Sequence, residues 1–272
     1  MTVTMPEVSA GEVQTIVAAR RLRHTKTVFI GVGRPSTAAL LARMVHNPEL
    51  ILVYESGTIG AKPFHIPLSI GDGELAETAD AIVSVPEMFN YWIGPGRIDV
   101  AFLGAAQIDR HANLNSTVIG DYAHPKTRLP GAGGAPEIAA SCGEVIVIAP
   151  HAKRTFVEKL DFVTTVGHGT GPGSRERLGF AGRGPTAVIT DLGVLEPDPA
   201  TCELVLTQIH PGVEASGVRE ETGWELRVAE ELKTTEPPTD EELGKLRELL
   251  ERGAPPTCLT PCARHSAATA EP

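Results

Sequence analysis

Residues 27–54 constrain the fold more tightly than any other stretch of this chain. Thr27 to Val32 is a short apolar run that reads as a buried strand. Gly31-Val32-Gly33-Arg34-Pro35-Ser36 follows, then the helical pattern TAALLARMVH with Ser36 as the expected N-cap, then a second apolar run from Leu50 to Tyr54. Strand, helix and strand in so short a span are the mark of a parallel pair joined by a crossover, and so of an α/β protein.

The rest of the chain continues in that manner. Further strands are expected at 99–103, 144–148, 187–190 and 203–209, and a helix over 10–22, where Val13, Ile16, Val17 and Leu22 fall near one face. TDEELGKLRELL, Thr239 to Leu250, reads as an amphipathic helix with a Thr N-cap and an acidic first turn. The Gly- and Pro-containing stretches 104–136 and 166–186 read as long loops, which are uncommon in a compact domain unless they carry function. With no internal repeat and no clean linker, one domain is expected over residues 1–253. A Pro- and Ala-rich tail, 254–272, is expected to be disordered. Aromatic residues make up only 4% of the chain, so its core must be built from Ala, Val, Ile and Leu.

Charge and cysteine usage exclude several functions. With 24 basic and 34 acidic residues the net charge is −10, which repels a phosphate backbone and argues against nucleic-acid binding. No window has the ~18 consecutive apolar residues of a membrane span. The N-terminus lacks a signal peptide's basic start and apolar run, so a cytoplasmic protein is expected. Cys142 and Cys202 read as core thiols. Cys258 and Cys262, with His265 nearby, lack a second ligand pair at zinc spacing, so no metal is expected.

Two features suggest a site. Gly31-x-Gly33-x-x-Ser36 follows a strand and opens a helix, and Glu55 lies nineteen residues past Ser36. That approaches a dinucleotide-binding fingerprint, but Ser replaces the third small residue and Pro35 sits in the turn that must grip phosphate. A tight turn that needs glycine for close packing is the preferred explanation. Glu55 itself closes the apolar strand Leu52-Val53-Tyr54, and an acid there points into the crevice where α/β proteins bind ligands. Taken alone, such an acid is more often a capping or salt-bridged residue than a nucleophile.

Three stretches carry more information: YESGTIG (54–60), FLGAAQIDRHANLNSTVIGDYAHPKTRLPGAGGAPEIA (102–139) and GPGSRERLG (171–179). Through them the chain resembles the β subunits of family I coenzyme A transferases, of the glutaconate CoA-transferase type, over most of residues 10–250. The resemblance implies a three-layer α/β/α fold with a mainly parallel, mixed sheet, and a homologous α subunit as partner. It also implies CoA transfer from an acyl-CoA to a carboxylic acid, with CoA entering as substrate and no cofactor tightly bound. Glu55 occupies the place of the family's nucleophile. A glutaconate-type dicarboxylate is one implied substrate. The same fold also hosts 3-methylglutaconyl-CoA decarboxylases and steroid ring-opening hydrolases, in which that glutamate is replaced; its retention here favours transfer.

Such chemistry needs an oxyanion hole, and Gly133 and Gly134, ahead of an expected helix at Glu137, are the candidates. Their bland alternative is a turn with unusual backbone angles. Ser56 and Gly57 are read as substrate-binding or loop-positioning residues, with Ser56 helping to hold the nucleophile. Gln107, Asn113 and Asn115 are equally substrate-orienting amides or loop-positioning residues, as is Asp109. The basic cluster His124, Lys126 and Arg128 is read as solvated surface or partner contact, Arg175-Glu176-Arg177 as a charge network positioning a loop, and His151, Lys153 and Arg154 as the polar end of a helix.

Overall fold

The computed structural model describes residues 8–253. The expectations for the 254–272 tail, with Cys258, Cys262 and His265, fall outside them. The strands are β1 (Thr27–Ile30), β2 (Ile51–Tyr54), β3 (Thr58–Ile59), β4 (Ala81–Ile82) and β5 (Val100–Leu103). Two small ribbons follow, β6 (Gln107–Ile108) with β7 (Leu114–Asn115), and β8 (Val118–Gly120) with β9 (Pro125–Arg128). Then come β10 (Glu144–Ile148), β11 (Pro185–Ile189), β12 (Gly193–Pro197), β13 (Leu204–Ile209) and β14 (Arg227–Thr234). Ten of these form one sheet in the order β14-β13-β12-β11-β10-β5-β1-β2-β3-β4. Its centre, β11-β10-β5-β1-β2, is parallel throughout, while β12, β3 and β4 pair antiparallel on both sides of it. The sheet is therefore mixed and mainly parallel at its core.

Alternation along the central strands explains the layers. Val28, Ile30, Leu52, Tyr54, Phe102 and Ile146 pack toward one face with α1 (Ala10–Arg20), α2 (Arg34–Val45) and the C-terminal helix Asp240–Glu251. Phe29, Val53, Ala101, Val145 and Val147 pack toward the other, against Met88, Ile93, Ile138 and Phe156. Both faces of the parallel strands are thus covered, as βαβ crossovers require. On the first face an ion pair at 2.6 Å between Arg20 and Glu242 joins α1 to the C-terminal helix. Burial alone would raise the Glu242 carboxyl, but hydrogen bonds from Arg20 and the Thr239 backbone overcome it and hold it at about 2. Thr239 caps that helix with a full capping box, as its sequence predicts.

Several local expectations are corrected. Ser36 does not cap α2: Gly33 does, with φ +82, and Pro35 occupies the first turn. Ser36 instead lies buried inside the helix, 3.1 Å from the Tyr54 hydroxyl. Close packing is not what Gly31 and Gly33 supply, since a Cβ at either would meet nothing within 4 Å; the positive φ at Gly33 is the requirement. Residues 104–136 are not simply loop but carry the β6–β9 ribbons. His151, Lys153 and Arg154 end no helix; they follow β10 in irregular chain and turn. Cys142 is a core thiol, whereas Cys202 sits half-buried in a turn with φ +58. Among the described residues no helix is long and apolar enough to cross a membrane.

Candidate active site

The C-terminal ends of β1, β2, β5 and β10 converge on a cleft of about 610 Å³, the position where parallel sheets bind ligands. Glu55 lines it, as do Gly31, Arg34, Gly104, Gly133 and Gly134. Alternation explains how the acid reaches it. Tyr54 is fully buried under α2, where desolvation pushes its hydroxyl up to about 12 despite the bond to Ser36. Val53 faces the opposite layer, and Glu55, two residues on, follows it there.

Beyond Glu55 the chain turns sharply. The Gly57 N–H donates to the Tyr54 carbonyl at 2.9 Å, and Gly57 has φ +103. A Cβ on Gly57 would collide with the Val83 carbonyl, whose own residue donates back to the Gly57 carbonyl at 2.9 Å. The turn therefore demands glycine twice over, for its backbone angle and for the closeness of residue 83. Ser56, between them, has a buried hydroxyl without a hydrogen-bond partner among the described residues.

The loop facing Glu55 ends in the short helix Ala135–Ser141, which starts two residues ahead of the expected Glu137 and has Gly134 as its N-cap. Gly131 and Gly133 have φ +105 and +51, a conformation that disfavours side chains. A Cβ on Gly134 would press into the Phe89 ring and lie 3.3 Å from Glu55 Oε1, so this glycine brings bare backbone against the carboxylate. Phe89 comes from the π-helical turn Met88–Ile93. The Gly131 N–H donates to the Ser116 carbonyl, but those of Ala132, Gly133 and Gly134 donate to nothing within the described residues. The Glu55 carboxylate likewise has no hydrogen bond or ion pair there. A free acid thus stands beside a row of free donors.

The amides lie elsewhere. Gln107 donates to Asp161 at 2.8 Å and accepts from Asn115 at 2.7 Å and from the Asp161 backbone. Asn115, fully buried, also donates to the Val118 carbonyl and accepts from the backbone of Thr117 and Val118. Asn113 donates to Asp109 and the Gly169 carbonyl and accepts from the backbone of Gly167 and Gly169. None of the three lines the cleft. Their hydrogen bonds knit residues 107–118 to residues 161–169. Arg175 proves to be no charge network: it is buried, and its guanidinium donates to the carbonyls of Ala139, Gly167 and Gly182. His124, Lys126 and Arg128 are exposed on the β8–β9 ribbon.

Arg34 is a cleft residue that its sequence context did not mark as one. It opens α2 and, with Glu55, supplies the only charged side chains lining the cleft among the described residues. Its location at the C-terminal end of the strand beside β2 was the signal available. No group of three or more His, Cys, Asp or Glu among the described residues is placed to hold a metal.

The family described as Coenzyme A transferase matches residues 12–221. The chain is 56% identical over 250 residues to the B subunit of the 3-oxoadipate CoA-transferase of Pseudomonas knackmussii, covering 92% of this chain and 96% of the relative. It is 36% identical to the B subunit of the glutaconate CoA-transferase of Acidaminococcus fermentans, over 89% of this chain and 92% of that one. The crystal structure of the glutaconate coenzyme A-transferase from that organism superposes with a TM-score of 0.85 at 34% identity, covering 90% and 95% of the two chains. A decarboxylase, AibA/AibB, shares the fold at a TM-score of 0.76 and 24% identity. By the extent of these matches, the chain belongs to the coenzyme A transferase family.

Proposed function

We propose that this chain is the β subunit of a CoA-transferase that acts with a homologous α subunit and carries CoA on Glu55 as a thioester between two half-reactions. The relatives at 56% and 36% identity are both named B subunits, which supports the pairing. The observation that carries the chemistry is the pairing of an unbonded Glu55 carboxylate with the free N–H groups of residues 132–134. Gly134 is buried, and a buried N–H in a purely structural corner would be bonded to the chain.

A carboxylate oxygen of Glu55 attacks the acyl-CoA carbonyl, and the CoA thiolate leaves, forming a mixed anhydride. The thiolate then attacks the Glu55 carbonyl carbon of that anhydride and releases the acyl group as its carboxylate. This leaves a glutamyl-CoA thioester, which the acceptor acid reverses by the same two steps. Each tetrahedral intermediate carries an oxyanion, and donors preorganised at Ala132, Gly133 and Gly134 stabilise it without rearrangement. No oxidant, metal or nucleotide is consumed, because the thioester is exchanged rather than spent. Gln107, Asn113 and Asn115 act in this scheme by holding the loops.

The acyl group is taken to be a dicarboxylic acid. Both 3-oxoadipate and glutaconate, for which the two relatives are named, carry two carboxylates, and the higher identity favours the 3-oxoadipate type.

Mass spectrometry on the protein co-purified with its α subunit tests the scheme. Incubation with succinyl-CoA followed by borohydride should convert the Glu55 carboxylate to an alcohol, one oxygen lighter and two hydrogens heavier. The same treatment should leave a Glu55→Gln variant unaltered. An unmodified Glu55 in a complex that still consumes the acyl-CoA would overturn the covalent route.

A further inference from the structure

We infer that Arg34 recognises the second carboxylate of the dicarboxylic substrate, and that Gln14 is the residue that positions it. The inference rests on the function proposed above and adds the residue that makes it selective.

Gln14 is fully buried in α1, far from the acid in sequence. Its Nε2 donates to two carbonyls at the ends of central strands, Ala149 at 3.0 Å and Ile189 at 2.9 Å. Both bonds require the amide nitrogen, so the amide cannot flip, and Oε1 is presented to Arg34, whose Nη1 donates to it. A neutral acceptor holds the guanidinium in place without neutralising it. Among the described residues no carboxylate pairs with Arg34. A Cβ at Gly11 would come within 3.3 Å of Nη2, so the helix that supplies Gln14 also leaves room for the guanidinium. An arginine fixed in this way, with donors to spare, suits a planar carboxylate.

Position selects the substrate's far end as its partner rather than a phosphate of CoA. Arg34 and Glu55 line one cleft of about 610 Å³ whose other lining side chains carry no charge. That volume holds an acyl chain of a few carbons. The phosphates of CoA are separated from its sulfur by the whole pantetheine arm, and the sulfur must meet Glu55. A dicarboxylate can place one carboxylate at Glu55 and the other at Arg34.

The test uses the complex with its α subunit, loaded with CoA from succinyl-CoA. Single-turnover discharge is then followed with 3-oxoadipate or 3-oxohexanoate, which differ only in the far carboxylate. In the parent, 3-oxoadipate should be the faster acceptor. Arg34→Met should lower the ratio of the two discharge rates by roughly 10- to 100-fold, the worth of a charge-assisted contact. Arg34→Lys should recover part of the ratio, since it keeps the charge and loses the fork. Gln14→Met should raise the half-saturating concentration of 3-oxoadipate more than it slows the maximal discharge rate. Equal slowing with both acceptors in Arg34→Met would assign Arg34 to CoA or to structure and overturn the inference. An unchanged ratio in a loaded enzyme would overturn it alone. A parent that takes up no CoA mass would overturn the covalent route, and this inference with it.

Discussion

The corner around Glu55 and the framework around Asn115 are built from similar polar and small residues, yet they end in opposite states. Around Asn115, amide after amide is bonded: Gln107, Asn113 and Asn115 each meet protein partners at both ends of the amide. Around Glu55, the carboxylate, the Ser56 hydroxyl and three consecutive N–H groups have no partner within the described residues. Buried polar groups are normally bonded, because leaving one unmade costs about 1–3 kcal/mol. The three framework amides follow that rule, although the buried Thr165 hydroxyl near them does not. The corner breaks it at Ser56 and Gly134, and the proposed chemistry rests on that contrast around an acid that lines the cleft. The glycines differ in the same sense. Gly167, in the framework, lets one backbone close on another at Ala112, whereas Gly134 brings bare backbone up to a free acid.

Substitutions can break this contrast. The largest effect is expected at Gly134→Ala, where the new methyl meets the Phe89 ring and the Glu55 carboxylate. A displacement of the reacting groups by even part of an ångström should cut kcat by roughly 100-fold while thermal stability changes far less. Steady-state kinetics beside a melting curve checks it, and a variant that loses stability but keeps its turnover would put Gly134 on the framework side. Asn115→Ala should do the reverse. It leaves the Gln107 amide oxygen and the Val118 carbonyl each short of a donor, and should cost about 1–3 kcal/mol in urea unfolding with turnover per folded molecule little altered. A selective loss of turnover would instead make Asn115 part of the cleft.

The smallest effect concerns acid. His151 is buried just past the end of β10, stacked on Phe156 at 4.1 Å and hydrogen-bonded to Thr222 at 3.0 Å. Desolvation depresses it to about 4, and burial lowers His168 and His210 in the same direction. These imidazoles are neutral when folded, and the unfolded chain takes up protons first. Stability is therefore whole above about pH 6.5 and falls as pH drops toward about 4. His151 should account for on the order of 1–2 kcal/mol of that loss between pH 7 and pH 5. Urea unfolding across that range should show a shallower pH slope in His151→Gln. A slope that is the same in both proteins would move the acid sensitivity elsewhere.

Features whose cause lies within a few residues were legible in the amino-acid order itself. Apolar runs at 27–30, 51–54 and 144–148 are strands because both faces of a parallel sheet are buried, and such runs need no partner to be recognised. Capping at Thr239 is equally local. The acid at the end of β2 and the glycines at 131–134 were visible as residue types suited to a site. Less local elements were not. β12 begins with Gly and ends with Pro, and β14, with the sequence RVAEELKT, mixes charged and apolar residues and is largely exposed; both are strands because β13 lies between them. The π-helical turn that brings Phe89 to Gly134 has no sequence signature here either.

The amino-acid sequence alone therefore determined the α/β class, the parallel core and the acid at the head of a strand, since periodicity and capping act over one or two turns of chain. The order of strands placed residues 34, 55 and 131–134 around one cleft, and only that assembly distinguished amides with bonded ends from an acid with none among the described residues. Hydrogen-bond satisfaction is a property of neighbours in space, and several of those neighbours, such as Asp161 for Gln107 and Gly169 for Asn113, lie tens of residues away along the chain.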